Sequence, residues 1–348
     1  MLRELESAAS SVQRDSARGP VLIALSQWEL DTFFPAEKAE RLKSLLPDTQ
    51  WVDPSILDSN AWLKLLETVR PRVLVSCWRT PRLPAVTEHL RYLAHVTGSV
   101  RGVLPRELLE RGVMVTNWGT FAAPYVAEHA LLLVLASLRS IRGWDGALSI
   151  AKFPSETAYL QTRSLHGARV AIHGFGLIAR ELVKLLKPFH VEISAYSFGV
   201  PEQLMLDHGV RPVESLEKLA EFAPIFVSCE ALTDRTRKSI DHQVLSRLAV
   251  GSVFVNVGRG AVVDEAALVE VGKNRQLRVA SDVFAEEPLR ENSPLHELPG
   301  AIYSPHIAGP ALDQYPRCGE LLLQNLQRYL AGQPLEQQVT LEIFDRST

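Results

Sequence analysis

Two successive runs of strand-like and helix-like segments limit what this chain can fold into. From Val21 to Asn117 it alternates short β-rich runs with helical ones, through "VLIAL", "AEKAERLKSLL", "RVLVSC", "VTEHLRYLAHV", "RELLERG" and "VMVTN". A second series opens with "ARVAIHG" and continues through "VEISAYS", "APIFVSC", "GSVFVNVG", "LRVASDVF" and "AIYSPH". Such alternation predicts parallel sheets joined by crossover helices, because parallel neighbours cannot be linked by a tight turn. A chain of 348 residues has room for about two such α/β domains.

A long helix is predicted between the two series, with Pro124 in its first turn and apolar residues from Val126 to Leu138 on nearly every face. It needs cover all round, and a second subunit is one source. Its most apolar stretch, Ala130 to Ala136, lies between Glu128, His129 and Arg139 and is shorter than the roughly 20 residues of a membrane span. A buried helix is therefore expected, followed by a polar connection from Ser149 to Ser164. The last helix, "GELLLQNLQRYLAG", stops at Gly332 and Pro334 and is expected to pack back onto the first domain.

Charge and cysteines narrow the function classes. The formal net charge is -3 without a Lys/Arg block, so neither nucleic acid nor an anionic membrane has compositional support as a partner. A small molecule fits better. Cys77, Cys229 and Cys318 are far apart and odd in number, which fits reduced thiols better than a disulfide framework, and no metal-ligand cluster is evident. The N-terminus, "MLRELESAASSVQRDSARG", lacks the apolar core of a signal peptide and reads as a flexible tail, so a cytoplasmic location is expected.

In "VAIHGFGLIARELVKLLKP" an apolar strand runs into a glycine turn and an amphipathic helix closed by Pro188. Gly174 permits the tight turn, Gly176 lets the backbone approach a pyrophosphate, and Ala179 is small enough for close helix–strand packing. The helix N-terminus then faces the phosphates. Gly174, Phe175, Gly176, Leu177 and Ile178 are thus candidate cofactor residues, although an ordinary βα turn also uses glycine. A ribose-binding acid is expected roughly 20 residues on. Ser197 stands there, able to bond a hydroxyl but without the charge that repels the 2′-phosphate of NADP. No Arg or Lys lies immediately beside it in sequence, and Arg211 or a distant loop is the remaining source of a phosphate pocket. The reading leans to NAD and leaves NADP open.

Three later stretches fall at strand ends, where open α/β sheets bind ligands: "VNVGRGAVVDEAAL", "SDVFAEEPL" and "YSPHIAG". With these, the chain from about Leu90 to Leu335 resembles the D-isomer-specific 2-hydroxyacid dehydrogenases. The resemblance implies two Rossmann-like or flavodoxin-like domains with a ligand cleft between them. It implies NAD(P)-dependent interconversion of a 2-keto acid and a D-2-hydroxy acid, and a homodimer. Arg259 would bind the substrate's carboxylate and carbonyl, for which a planar, permanently charged fork is suited. A lone arginine is more often a surface ion pair, but the strand and glycines around it favour the ligand role.

By the same resemblance His306 is the acid-base that protonates the alkoxide left by hydride transfer. Glu287, and not Glu286, would pair with it, fixing the ring and favouring its protonated form. Formate dehydrogenases of this fold use glutamine there, so Glu287 argues against formate. Asp282 would hold the nicotinamide carboxamide, with a turn or helix cap as the alternative. Val257 belongs to the cofactor loop, and Asn117 and Glu128 to the hinge and interdomain helix.

The pattern breaks in two places. "HVTGSVRG" replaces the family's G-x-G-V-D loop, so Thr97, Gly98 and Ser99 are the candidate substrate-carboxylate donors. Arg101 would either add positive charge near the substrate's tail or point to solvent. Cys229 stands where many relatives have a histidine in the cofactor loop. Trp28, Trp78 and Arg79 follow strands and are candidate ligand-side residues, though packing is the commoner use. The expected domains are 1–121 completed by 318–348 for substrate, and 122–317 for the dinucleotide. A non-catalytic, corepressor-like dinucleotide sensor on the same fold is the alternative.

Overall fold

A computed structural model of the chain describes residues 19–46, 49–150 and 152–346. The segment read as a tail lies, up to residue 18, outside the described residues. The chain divides into two compact units, Met1–Ala122 with Ala311–Thr348, and Ala123–Pro310.

The first unit holds a five-stranded sheet in the order β2-β1-β3-β4-β5: Val21–Ala24 (β1), Thr49–Val52 (β2), Val73–Ser76 (β3), Tyr92–His95 (β4) and Met114–Thr116 (β5). Every pairing is parallel. All four residues of β1, β3 and β4 are buried, as expected of strands covered by helices on both faces. "VTEHLRYLAHV", read from the alternation as helical, instead contains β4. A strand buried on both faces shows no alternation, so its apolar run cannot be told from a buried helix by periodicity. The Tyr315–Leu330 helix buries Cys318, Leu322, Leu323 and Leu326 in the core of this unit, as the sequence predicts.

The second unit carries seven parallel strands in the order β12-β11-β10-β9-β6-β7-β8. They are Arg169–His173 (β6), Glu192–Tyr196 (β7), Arg211–Pro212 (β8), Ile225–Ser228 (β9), Val253–Asn256 (β10), Arg278–Ser281 (β11) and Ile302–Tyr303 (β12). The order reverses beside β6, which makes a switch point at its carboxyl end. The Leu177–Leu186 helix buries Ala179, Leu182, Val183 and Leu186, the i, i+3, i+4, i+7 stripe of an amphipathic helix. Each buried leucine stabilises the fold by about 1.5–3 kcal/mol.

That stripe packs with Ala127, Ala130, Leu133 and Val134 of the Ala123–Leu138 helix. The helical run Gly119–Leu138 is long and apolar enough to cross a membrane by length and composition, although its most apolar stretch, Ala130 to Ala136, is short and part of the run packs in the core. Its inward face belongs to the core of this unit, and Glu128 and Leu132 are exposed on its outer side.

Two histidines at strand ends are buried. Desolvation pushes His95 down to about 4 and His173 down to about 3, so both are neutral when folded. Unfolding releases each to an ordinary value near 6.5. Their stabilising contribution is complete above that value and is lost as pH falls toward the folded values, since the unfolded chain binds the extra proton. Stability is therefore expected to decline between about pH 6.5 and 4. Denaturant unfolding of the wild type and of His95→Gln at several pH values checks this. The variant's slope should be shallower, and identical slopes would remove His95 from the account.

Candidate active site

The motif residues of the second unit collect at the carboxyl ends of its strands. The glycine turn follows β6. Gly174 has φ +86°, and a Cβ there would stand 2.7 Å from the Glu230 Cα, so both conformation and space require glycine. Gly176 differs: a Cβ there would meet nothing within 4 Å, which leaves the open approach that a pyrophosphate needs. Gly176 also caps the Leu177–Leu186 helix without a side-chain hydrogen bond, so the first-turn N–H groups are left for a ligand. Phe175 is buried and meets His208 edge-on, Ile178 packs against the core, and Leu177 is exposed at the turn. These residues fit a dinucleotide.

Arg259 follows β10 in a turn with few alternatives. Asn256 ties it at both ends, its Oδ1 accepting the Gly258 N–H at 3.1 Å and its Nδ2 donating to the Arg259 carbonyl at 3.1 Å. A Cβ on Gly260 would lie 1.8 Å from the Phe284 carbonyl carbon, so the glycine admits a close backbone crossing. The Arg259 guanidinium donates to the Gly258 carbonyl at 2.7 Å. Burial pulls it below the usual arginine range, and the nearby Glu287 carboxylate opposes that shift. Val257 is buried beside this turn.

His306 Nδ1 and Glu287 Oε2 are 2.6 Å apart. The other oxygen of Glu287 accepts the Phe284 N–H at 2.9 Å, so the carboxylate is held while it holds the ring. That leaves His306 Nε2 on the opposite edge of the imidazole. The histidine has φ +54°, an uncommon conformation for a residue with a Cβ.

Asp282 supports that conformation. Its Oδ1 accepts the Ser304 hydroxyl at 2.6 Å and the Ile307 N–H at 2.9 Å, and its Oδ2 accepts the Ala308 N–H at 2.9 Å. The His306 N–H donates to the Asp282 carbonyl at 2.8 Å. A buried carboxylate with three donors thus shapes the His306 loop. With about four acceptor positions on a carboxylate, one stays available. His129 Nε2 lies 2.9 Å from the Ser304 hydroxyl and extends this network. Ser304 lies within the "YSPHIAG" stretch, but its pairing with His129 carries no sequence signal, because the contact joins positions far apart in the chain.

Around the expected ribose position the structure adds residues that sequence did not show. Ser197 Oγ donates to Glu230 Oε2 at 3.4 Å. Arg235 lies over the ring of Phe198, 3.2 Å from its centroid, so a basic group does stand beside the Ser197 turn. Cys229 is buried, and desolvation pushes its thiol up to about 12. It is a neutral packing residue, while its neighbour Glu230 carries the polar contact. All three cysteines are buried thiols.

In the first unit, the Thr97–Ser99 loop follows β4. The Thr97 carbonyl accepts the Trp118 N–H at 3.1 Å, and the Gly98 carbonyl accepts Asn117 Nδ2 at 2.5 Å. Across a trans peptide the N–H points opposite the carbonyl, so the amides of Gly98 and Ser99 face away from Trp118 and Asn117. Buried His95 supports the loop from below, bridging the Ser76 and Thr97 hydroxyls at 2.9 Å each. Arg101 takes neither expected path. It donates to the Phe344 and Asp345 carbonyls at 2.9 and 3.0 Å and stacks on the Phe344 ring, pinning a C-terminal helix, Leu341–Arg346, that follows the one read from sequence as the last. Trp28 and Trp78 are half-exposed and stack 6.2 Å apart, Trp78 also meeting Tyr315 edge-on, while the Arg79 N–H donates to the Glu29 carboxylate.

The sequence profile described as "D-isomer specific 2-hydroxyacid dehydrogenase, NAD binding domain" matches residues 131–308, the span that carries the glycine turn, Arg259, Glu287 and His306. The chain belongs to the D-isomer-specific 2-hydroxyacid dehydrogenase family. Among similar members of this family, the D-3-phosphoglycerate dehydrogenase of Methanocaldococcus jannaschii is 27% identical over 255 residues, 73% of this chain and 48% of that protein. The glyoxylate reductase of Pyrococcus furiosus is 28% identical over 252 residues, 70% of this chain and 74% of that protein. The chain spans about half the length, 42–48%, of the D-3-phosphoglycerate dehydrogenases it matches. An apo D-mandelate dehydrogenase of Rhodotorula graminis shares the fold with a TM-score of 0.78 at 18% identity, covering 92% of this chain and 98% of that one.

Proposed function

We propose that the chain interconverts a 2-keto acid and a D-2-hydroxy acid, with NAD or NADP as cofactor. One observation carries this reading: Glu287 and His306, from separate loops, meet at 2.6 Å in a charge-assisted pair, at the strand ends that also present Arg259. A bound nicotinamide dinucleotide supplies the hydride for reduction or takes it in oxidation. Arg259 receives the carboxylate and 2-oxygen of the substrate through its guanidinium fork. His306 Nε2 donates a proton to that oxygen during reduction and removes it during oxidation, and Glu287 keeps the ring oriented. Asp282 orders the His306 loop, and its remaining acceptor position is assigned to the nicotinamide carboxamide.

In the first unit, Thr97, Gly98 and Ser99 are assigned to the substrate carboxylate through the amides of Gly98 and Ser99. Val257 and the 174–178 turn are assigned to the dinucleotide. The exposed side of the Ala123–Leu138 helix supports a homodimer. A cytoplasmic location accords with this metabolic role. The experiment is a panel of glyoxylate, hydroxypyruvate, pyruvate and larger or anionic 2-keto acids, each with NADH and NADPH. Reduction of at least one to its D-2-hydroxy acid is expected. If none is consumed while dinucleotide binds, a sensor role replaces the enzymatic one.

A further inference from the structure

We infer that Glu230 supplies the carboxylate that Ser197 lacks: it binds the adenosine ribose hydroxyls of the dinucleotide and selects a 2′-hydroxyl over a 2′-phosphate. The inference rests on the dinucleotide reading of the glycine turn and concerns this chain's own residues there.

Three neighbouring strands bring the group into place. In the central sheet His173 pairs with Tyr196 of β7 and with Ser228 of β9. Gly174, Ser197 and the Cys229–Glu230 pair therefore leave the sheet together at one edge. The backbone of Glu230 is wedged between two glycines: a Cβ on Gly174 would stand 2.7 Å from its Cα, and one on Gly258 2.5 Å from its carbonyl oxygen. Glu230 thus has a fixed seat between the phosphate turn and the Arg259 turn.

Its carboxylate faces the ribose position with acceptor capacity left over. Oε1 accepts the N–H of Ala231 at 3.0 Å, and Oε2 accepts the hydroxyl of Ser197 at 3.4 Å, a long bond that a better donor can replace or share. His173 Nε2 is 3.8 Å away, but that ring is buried and neutral, so it does not cancel the carboxylate's charge. Burial raises the Glu230 carboxyl above the usual range, as expected of an acid short of donors. Vicinal ribose hydroxyls are two donors suited to one carboxylate. A 2′-phosphate brings no matching donor and at least one negative charge. Arg235, stacked on Phe198, is the opposing feature, since its guanidinium attracts a 2′-phosphate from the solvent side.

The test is direct binding, by fluorescence titration of the full chain with NADH, NADPH and an NADH analogue deoxygenated at the adenosine 2′ position. No 2-keto acid is present. The wild type should bind NADH at least about tenfold tighter than NADPH, and the deoxy analogue should bind more weakly than NADH. Glu230→Gln keeps the side chain's shape but removes the charge; it should weaken NADH and bring the NADH:NADPH preference to about threefold or less. Far-UV circular dichroism confirms that the variant is folded, and the deoxy analogue reads the hydroxyl contact in the wild type if it is not.

Equal or tighter binding of NADPH by the wild type would overturn the inference, as would an unchanged preference in Glu230→Gln or equal binding of the deoxy analogue. Loss of NADPH binding in Arg235→Ala would then show that the arginine controls selection. Keto-acid reduction with NADPH preferred defeats this inference alone. The expected NADH preference without any keto acid reduced defeats the dehydrogenase reading alone.

Discussion

His306→Ala is expected to lower kcat by about 10²–10⁴-fold on whichever 2-keto acid the panel identifies, with the NADH dissociation constant little changed. The reason is chemical: hydride addition leaves an alkoxide, and without a positioned acid its proton must come from water. The variant is informative because little else depends on the ring. Its side chain is 46% exposed, and its imidazole bonds to Glu287, whose other oxygen keeps the bond to the Phe284 N–H. The loop is held mainly by Asp282 through the Ser304 hydroxyl and the Ile307 and Ala308 amides, none of which involves the imidazole. Thermal melting should therefore change little. His306→Gln separates shape from proton transfer, filling part of the volume without an acid, and should be as slow as alanine. A kcat within threefold of wild type in both variants would remove His306 from the acid-base role.

Arg259→Leu should reduce kcat/KM by roughly 10²–10⁴-fold, because two charge-assisted hydrogen bonds at about 1.5–3 kcal/mol each are lost. Arg259→Lys keeps the charge but not the fork, so it should recover only part of the loss. The guanidinium gives the turn one bond, to the Gly258 carbonyl, while Asn256 braces the same segment twice through the Gly258 N–H and the Arg259 carbonyl, and Gly260 permits the crossing beside Phe284. Dinucleotide affinity is thus the control that should stay near wild type. If leucine leaves kcat/KM within fivefold, another cation orients the substrate. If NADH binding falls in parallel, Arg259 shapes the cofactor loop instead.

Sequence carried much of the second unit because its elements are local. The turn at Gly174–Gly176, the stripe at Ala179, Leu182, Val183 and Leu186, and the spacing around Arg259, Glu287 and His306 are each written within one short segment. Strand–helix alternation likewise determined the α/β class and the parallel sheets. The exception, β4, has a physical source. β4 is apolar on both faces, so the period that distinguishes strand from helix is missing, and Tyr92–His95 reads as either. The long apolar helix was legible from Pro124 to Leu138, and folding adds a short helical turn, Gly119–Ala122, ahead of it.

What only tertiary structure decided is which distant side chains meet. Sequence placed Ser197 where an acid was expected; folding β7 and β9 on either side of β6 set Glu230 beside it, 33 positions along the chain. Sequence offered Arg101 two fates; the packing of the C-terminal helix assigned it a third, as donor to the Phe344 and Asp345 carbonyls. Asp282 was legible as a motif residue, but its three donors lie in a loop that reaches it only through the β11–β12 pairing. Local patterning selects elements through propensity and periodicity. Charge and hydrogen-bond pairing across strands depends on sheet order, which those local signals do not encode.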